Sequence, residues 1–195
     1  LPDGSLVLMG GDDGSDPRRD VWRSTDQGKT WVQQAANAPW AARSGHSTVV
    51  LPGGAIVLMG GLGASGPPKN DVWRSTDGGA TWVQLTAAAA WSGRTRHASV
   101  VLSDGSIVLL GGLSADSPTN KNDVWRSVDG GATWVQQTAA APWGRRFMLA
   151  AVALPDDSVI LMGGDYLGSP YNGVWRSADQ GATWVQLTAG AEWTA

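Results

Sequence analysis

Tryptophan and arginine lie close together at three places in the sequence. Trp40 is followed by Arg43, Trp91 by Arg94, and Trp143 by Arg146. A tryptophan beside an arginine suits stacking on a sugar ring or capture of a carboxylate. The candidate ligand-binding residues of this kind are Trp40, Arg43, Trp91, Arg94, Arg96, Trp143, Arg145, Arg146 and Trp193. Because all four repeats carry this tryptophan, packing in the gap between repeated units is the favoured interpretation, and residues specific to single loops are the better candidates for binding.

A second set of candidates lies in stretches that vary along the chain. Its members are Asp12, Asp13, Asp16, Arg18, Arg19, Lys69, Lys121, Tyr166 and Tyr171. The three aspartates could offer oxygen ligands to calcium. Their spacing does not match an EF-hand loop, and no other part of the chain has such a cluster. A solvated acidic loop is therefore the favoured interpretation, and we predict neither a metal nor a cofactor.

The remaining groups with catalytic potential are few. The chain has no cysteine, which excludes thiolate metal sites, disulfides and a cysteine nucleophile. Its two histidines, His46 and His97, occupy a repeated position that Leu149 fills elsewhere. A position that accepts leucine favours packing over proton transfer or metal binding.

The composition limits the class of protein that can position these residues. The chain has 195 residues, a net charge of −3, 27 glycines, 12 tryptophans and a single glutamate, Glu192. So little glutamate argues against a helical protein. Because the sequence has no basic clusters and no apolar run of 18 residues, we expect neither nucleic-acid binding nor a membrane span.

The tryptophans reveal an internal repeat. Within each of four groups they are nine residues apart, and the groups follow one another at intervals of 51, 52 and 50 residues. A period of about 50 indicates a solenoid or a propeller. The predicted repeats are residues 1–42, which are incomplete, and then 43–93, 94–145 and 146–195.

Each repeat contains short apolar segments bounded by Gly, Asp, Pro or Ser, which is typical of strands. We name them A, B, C and D, at residues 43–51, 6–11, 20–24 and 30–33. Four strands in fifty residues match one propeller blade. The predicted fold is therefore all-β, a β-propeller of four-stranded antiparallel blades built from four repeats, with the first blade lacking its strand A.

The same repeats resemble two known families. The Arg-x-x-His pattern, the double glycine and Asn-Asp-Val-Trp are similar to kelch repeats, and Ser-x-Asp-x-Gly-x-Thr-Trp is similar to the Asp box (BNR repeat). The box residues are Ser24, Asp26, Gly28, Thr30, Trp31, Ser75, Asp77, Gly79, Thr81, Trp82, Ser127, Asp129, Gly131, Thr133, Trp134, Ser177, Asp179, Gly181, Thr183 and Trp184. Both resemblances imply a β-propeller. We interpret the box as a structural turn, because an identical copy in every repeat cannot mark one active site.

The resemblance to Asp-box proteins also implies a sialidase-like glycosidase as an alternative. That chemistry needs paired carboxylates or a Tyr/Glu couple. The one glutamate stands three residues from the end of the sequence and the two tyrosines share one loop, so we predict no enzyme. The copper radical oxidases with kelch propellers use a cysteine-linked tyrosine, which a chain without cysteine cannot form.

We therefore expect a non-catalytic binding or assembly scaffold that recognises protein or glycan through its variable loops. The missing strand A leaves three possibilities open: a window from a longer array, two chains forming one ring, or a strand donated by a neighbouring chain. A purely structural filament or surface-layer unit is a further alternative. The Asp-box resemblance implies an extracellular or cell-surface location.

Overall fold

The computed structural model describes residues 1–116 and 119–193, and every regular element in them is a β-strand. The first sheet has three strands, β1 (Leu6–Asp12), β2 (Pro17–Ser24) and β3 (Val32–Ala35). The second has four, β4 (Ser47–Val50), β5 (Ile56–Met59), β6 (Val72–Ser75) and β7 (Val83–Thr86).

The third sheet has five strands, β8 (Arg94–Thr95), β9 (Ala98–Val101), β10 (Ile107–Ser114), β11 (Asn120–Ser127) and β12 (Val135–Thr138). The fourth uses β13 (Ala150–Ala153) and β14 (Val159–Met162), then β17 (Val174–Ser177) and β18 (Val185–Thr188). Between them a hairpin forms from β15 (Asp165–Tyr166) and β16 (Ser169–Pro170). All described pairings are antiparallel. The all-β prediction is confirmed, and the blade number and repeat boundaries stay predictions.

The predicted strand A is shorter in the structure than residues 43–51. A residue with positive φ interrupts each copy: Gly45 at 61°, Arg96 at 54° and Met148 at 54°. Left-handed backbone cannot continue a β ladder. Regular pairing therefore resumes only at β4, β9 and β13, and these three inner strands contact one another in succession.

The double glycine that ends strand B produces a β-bulge and a close approach of chains. In β1 the register shifts between Met9 and Gly11. A Cβ on Gly60 would lie 2.7 Å from the carbonyl oxygen of Arg94, which belongs to the next sheet. Only glycine leaves room for that neighbouring backbone.

The apolar core lies between successive sheets. Val7, Met9 and Val21 of the first sheet pack against Ile56 and Leu58 of the second. The second and third sheets, and the third and fourth, pack in the same way. Sheets stacked face to face around their inner strands are arranged like the blades of a propeller.

Candidate functional site

The Asp box is a turn closed by its own side chains. Asp26 accepts hydrogen bonds from the amide of Thr30 at 2.9 Å, from its hydroxyl at 2.6 Å and from the Ser24 hydroxyl at 2.8 Å. The Trp31 indole donates to the carbonyl of Gly28, which has a φ of 88°. These bonds use every polar group of the motif within the turn, and the other three boxes repeat them.

The box also fastens each sheet to the sheet before it. A Cβ on Gly79 would lie 2.6 Å from Cγ1 of Val21. The Trp82 ring meets the Trp40 ring edge-on with centroids 5.9 Å apart. The sequence indicated the turn, but this contact between sheets had no local signal.

Below the loops, the second and third sheets each carry what we call the arginine–aspartate–tryptophan set. In the second sheet Arg43 donates to both carboxylate oxygens of Asp71, at 2.6 and 2.8 Å, and to the carbonyl of Gly60 at 2.8 Å. The Trp73 indole donates to the same carboxylate at 2.7 Å. The third sheet repeats the set with Arg94, Asp123, Gly111 and Trp125.

The set keeps its charges paired inside the protein. Arg43 and Arg94 are fully buried. Burial raises the pKa of Asp71, but hydrogen bonds from Arg43 and Trp73 outweigh it and hold the pKa below its ordinary value. Asp71 is therefore ionised at neutral pH, and its charge balances the arginine.

This geometry corrects the interpretation of the tryptophan–arginine pairs as surface recognition sites. Trp40, Trp91 and Trp143 are 0–1% exposed, so no ligand can stack on them in this fold. Each packs against the box tryptophan of the next sheet. The guanidinium groups of Arg43 and Arg94 are occupied by aspartates 28 and 29 residues further along the chain.

The set is incomplete in the first and fourth sheets. In the first, Asp20 accepts from Trp22 at 2.7 Å but meets no arginine among the described residues. In the fourth, Arg146 is 2% exposed and Gly173 stands at the aspartate position. The first sheet therefore lacks the arginine of the ion pair, and the fourth sheet lacks the aspartate.

The exposed candidates lie in loops and at the ends of β1 and β2 near their connecting turn. Asp13 caps two amides of its own turn and forms an ion pair with Arg18. Arg19 donates to Asn37 at 3.2 Å. The candidates with exposed side chains are Asp12, Asp13, Asp16, Arg18, Arg19, Arg96, Arg145 and Trp193.

The candidates Lys69, Lys121, Tyr166 and Tyr171 are half-buried. Lys121 donates to the carbonyl of Asp116 at 3.3 Å, and burial lowers its pKa. The Tyr171 ring lies 4.0 Å from Cζ of Arg146. Lys121 and Tyr166 lie in β11 and β15, whereas Lys69 and Tyr171 lie in loops.

Residues 1–116 and 119–193 hold no group of three His, Cys, Asp or Glu side chains that could bind a metal ion. In the same residues, no helix is long and apolar enough to cross a membrane.

The two histidines lie among the inner strands. His97 Nε2 is 2.7 Å from the hydroxyl of Ser47, which in turn accepts from Ser99 at 2.8 Å. Burial, followed by the charges of Arg94 and His46, lowers the pKa of His97 to about 3. His97 is therefore neutral in the folded protein and links two sheets.

Lowering the pH from 7 to 4.5 is expected to lower the free energy of unfolding. In the unfolded chain this histidine has a pKa near 6.5 and becomes protonated below that pH, whereas folded His97 stays neutral. The free energy of unfolding therefore keeps its full value above pH 6.5 and decreases below it. The loss at pH 4.5 is about 2.7 kcal/mol for one such histidine. Chemical denaturation at several pH values measures it.

His97→Leu provides the control, because Leu149 fills the same repeat position in the fourth sheet. The variant should show a shallower pH dependence between 6.5 and 4.5. An unchanged slope would show that His97 is not the group responsible.

Two family matches agree with this architecture. Residues 53–144 match the DUF6242 beta propeller domain, and residues 22–33 match the BNR/Asp-box repeat. The second match covers the first Asp box. The chain therefore contains a segment similar to a beta propeller domain and one segment that matches the BNR/Asp-box repeat.

Relatives and solved structures support the fold. Two adagio-like proteins of Oryza sativa subsp. japonica are 28% and 27% identical over 181 residues, which are 84% of this chain. The chain spans 28% and 29% of their lengths. Multiple epidermal growth factor-like domains protein 8 of Homo sapiens is 33% identical over 116 residues, 57% of this chain and 4% of that protein.

The solved structure of YjhT superimposes with a TM-score of 0.72 at 19% identity, over 94% of this chain and 65% of YjhT. At that identity the likeness concerns the fold alone. The arrangement of stacked antiparallel sheets is therefore that of a propeller.

Proposed function

We propose that this chain is a non-catalytic propeller scaffold of mixed kelch and Asp-box type, which assembles by accepting a further strand at β1. The open edge of the first sheet carries this proposal. In the second sheet β4 pairs with β5, whereas among residues 1–116 and 119–193 the sole partner of β1 is β2. An unpaired edge offers its backbone groups to an incoming strand.

The side chains around this edge match a strand that begins with arginine. A cleft of about 490 Å³ follows β1 and includes Asp20 and Trp22 in its lining. Asp71 and Asp123, at the same repeat position, each bind the arginine that precedes an inner strand. The incoming strand would supply the arginine that Asp20 lacks.

The apolar face beside this edge also favours assembly. Leu6 and Leu8 are 46% and 58% exposed, whereas Ile56 and Leu58, at the same positions of the second sheet, are buried. Trp31 is 39% exposed, and each other box tryptophan packs on a tryptophan of the preceding sheet. The partner is therefore a unit of the same kind, from a second copy of this chain or from a further repeat.

Recognition of a protein or glycan is the second part of this proposal, at the exposed loops of the candidate site. A cleft of about 300 Å³ lies beside Arg18, Arg19 and Asn37. Exposed cations next to this cleft suit an acidic group on the ligand. An extracellular or cell-surface location belongs to the same proposal.

A peptide with the sequence of residues 43–51 tests strand addition. Labelled at its carboxyl end, it should bind the 195-residue chain saturably in fluorescence anisotropy. A peptide with glutamine in place of its arginine should bind about tenfold more weakly, because it cannot form the ion pair.

The matched protein variant is Asp20→Asn, which keeps the shape of the side chain and removes its charge. It should bind both peptides equally. Equal binding of the two peptides by the unchanged protein, or no binding at all, would contradict strand addition at β1.

A further inference from the structure

The fourth sheet retains the donors of the arginine–aspartate–tryptophan set but has lost its acceptor. Trp175 pairs with Leu161 in the same register that joins Trp73 to Leu58. Its indole N–H finds no acceptor among residues 1–116 and 119–193, whereas Trp73 donates to Asp71 at 2.7 Å. Gly173 has no side chain with which to replace that carboxylate.

Arg146 remains in place without its counter-charge. Its Nη1 donates to the carbonyl of Gly163 at 2.8 Å, as Arg43 donates to Gly60 at 2.8 Å. Its Nη2 donates to the carbonyl of Trp143, and its buried Nε has no hydrogen-bond partner among the described residues. The guanidinium is therefore anchored where a carboxylate could reach it, with N–H groups to spare.

The unpaired charge makes an anion favourable at this point. No carboxylate of the described residues forms a salt bridge with Arg146. Burial lowers the pKa of Arg146 to about 10, so it still carries its charge at neutral pH. A buried charge without a counter-ion is destabilising, and a bound carboxylate would offset that cost.

The Tyr171 ring lies against the same guanidinium, with its centroid 4.0 Å from Cζ of Arg146. A ring stacked on a guanidinium lies above its plane, whereas carboxylate oxygens accept hydrogen bonds within the plane. Arg43 shows that the two are compatible, since its Cζ lies 6.0 Å from the Trp40 ring centroid while its N–H groups bind Asp71.

The position at Gly173 has room for a small group. A Cβ built there would meet its nearest atoms, in Gln186, Thr188 and Ala189, at 3.5 Å, which is ordinary contact. In the complete sets the carboxylates stay in touch with solvent, because the side chains of Asp71 and Asp123 are 14% and 13% exposed. Gly173 is itself buried, so a ligand would reach the equivalent place through the opening that the aspartate side chain fills in the other sheets.

We propose that Arg146, Trp175 and the space at Gly173 form a binding site for a single carboxylate group. Acetate carries the same carboxylate on a methyl group, so acetate bound beside Gly173 would offer Arg146 and Trp175 the acceptor that the missing aspartate supplies in the other sheets. The ligand is a small free carboxylic acid or a carboxylate carried by a peptide. This site lies in the fourth sheet and does not depend on strand addition at β1.

Acetate is the probe for the first experiment. Sodium acetate should raise the Tm of the unchanged chain saturably, by about 2–4 °C for each 1 kcal/mol of binding free energy. Sodium chloride at equal ionic strength should not. Gly173→Asp, which supplies the carboxylate from within the chain, should have a raised Tm without acetate and no response to it.

Gly173→Asp is expected to fold, since the φ of Gly173 is not positive and its Cβ position is open. Equal acetate responses in the two proteins would overturn the site, because they would indicate a general salt effect. Absence of any acetate response in the unchanged chain would overturn it as well.

Nuclear magnetic resonance gives a second readout that does not depend on stability. Of the indole N–H signals, the one removed by Trp175→Phe should shift most on addition of acetate. The same titration with a blocked aspartyl dipeptide distinguishes a small free acid from a carboxylate carried by a peptide. A shift with both ligands indicates a protein carboxylate, a shift with acetate alone indicates a small acid, and a shift with neither overturns the proposal.

Discussion

Replacing Asp123 with asparagine is expected to lower the free energy of unfolding by about 3–4 kcal/mol. Arg94 is fully buried, and Asp123 balances its charge through two hydrogen bonds of 2.8 Å. Asparagine keeps the volume but leaves the buried guanidinium without a counter-charge. Removing one partner of a buried ion pair is costly because the other charge stays desolvated. Denaturant unfolding of the two proteins measures the difference.

The control is an ion pair at the surface. Arg176, 40% exposed, lies 2.7 Å from Asp156, 56% exposed, so Arg176→Gln should cost only about 0–1 kcal/mol. Equal losses in the two variants would show that burial does not decide the contribution of the Asp123 pair.

Much of the fold could be predicted because its signals are local. The nine-residue spacing of the tryptophans reflects the distance along the chain from one hairpin strand to the next. The Asp box closes within eight residues, so its Ser, Asp, Gly, Thr and Trp carry the whole turn. Local geometry of this kind is visible in one repeat and is strengthened by its recurrence.

The tryptophans were expected to pack between repeats, but the partners of the tryptophan–arginine pairs could not be predicted because they are distant along the chain. Arg43 finds Asp71 across 28 positions, and Trp40 finds Trp82 in the next sheet. No spacing rule links such residues before the sheets are stacked. The candidate role of these residues in surface binding is therefore contradicted, whereas packing between repeats agrees with their burial.

The interruption of strand A had no clear signal either. Arg96 and Met148 adopt positive φ, which non-glycine residues rarely do, and only Gly45 at the same position pointed to it. The backbone is held there by neighbouring sheets: the amide of Arg96 donates to Gly45, and that of Met148 donates to Arg96. Contacts between sheets override the local preference.

The incomplete sets show how a repeat can acquire function without a new motif. In the second and third sheets the arginine and aspartate satisfy each other, and neither is free to bind anything. Asp20 has the acceptor alone and Arg146 the donor alone. Without the arginine, the aspartate can bind a cationic group, and without the aspartate, the arginine can bind an anionic group.

Replacing Trp91 with alanine is expected to lower the free energy of unfolding by about 3–5 kcal/mol. Trp91 is 1% exposed, meets the Trp134 ring edge-on with centroids 5.9 Å apart, and lies 5.9 Å from Cζ of Arg94. Its removal leaves a cavity between two sheets, and stacked sheets cannot close it without breaking their registers. Trp193 has the same repeat position but is 47% exposed, so Trp193→Ala should cost about 1 kcal/mol or less. Denaturant unfolding of both variants compares the same substitution at a buried and at an exposed tryptophan. Equal losses in the free energy of unfolding would contradict the idea that packing on the next sheet makes Trp91 stabilising.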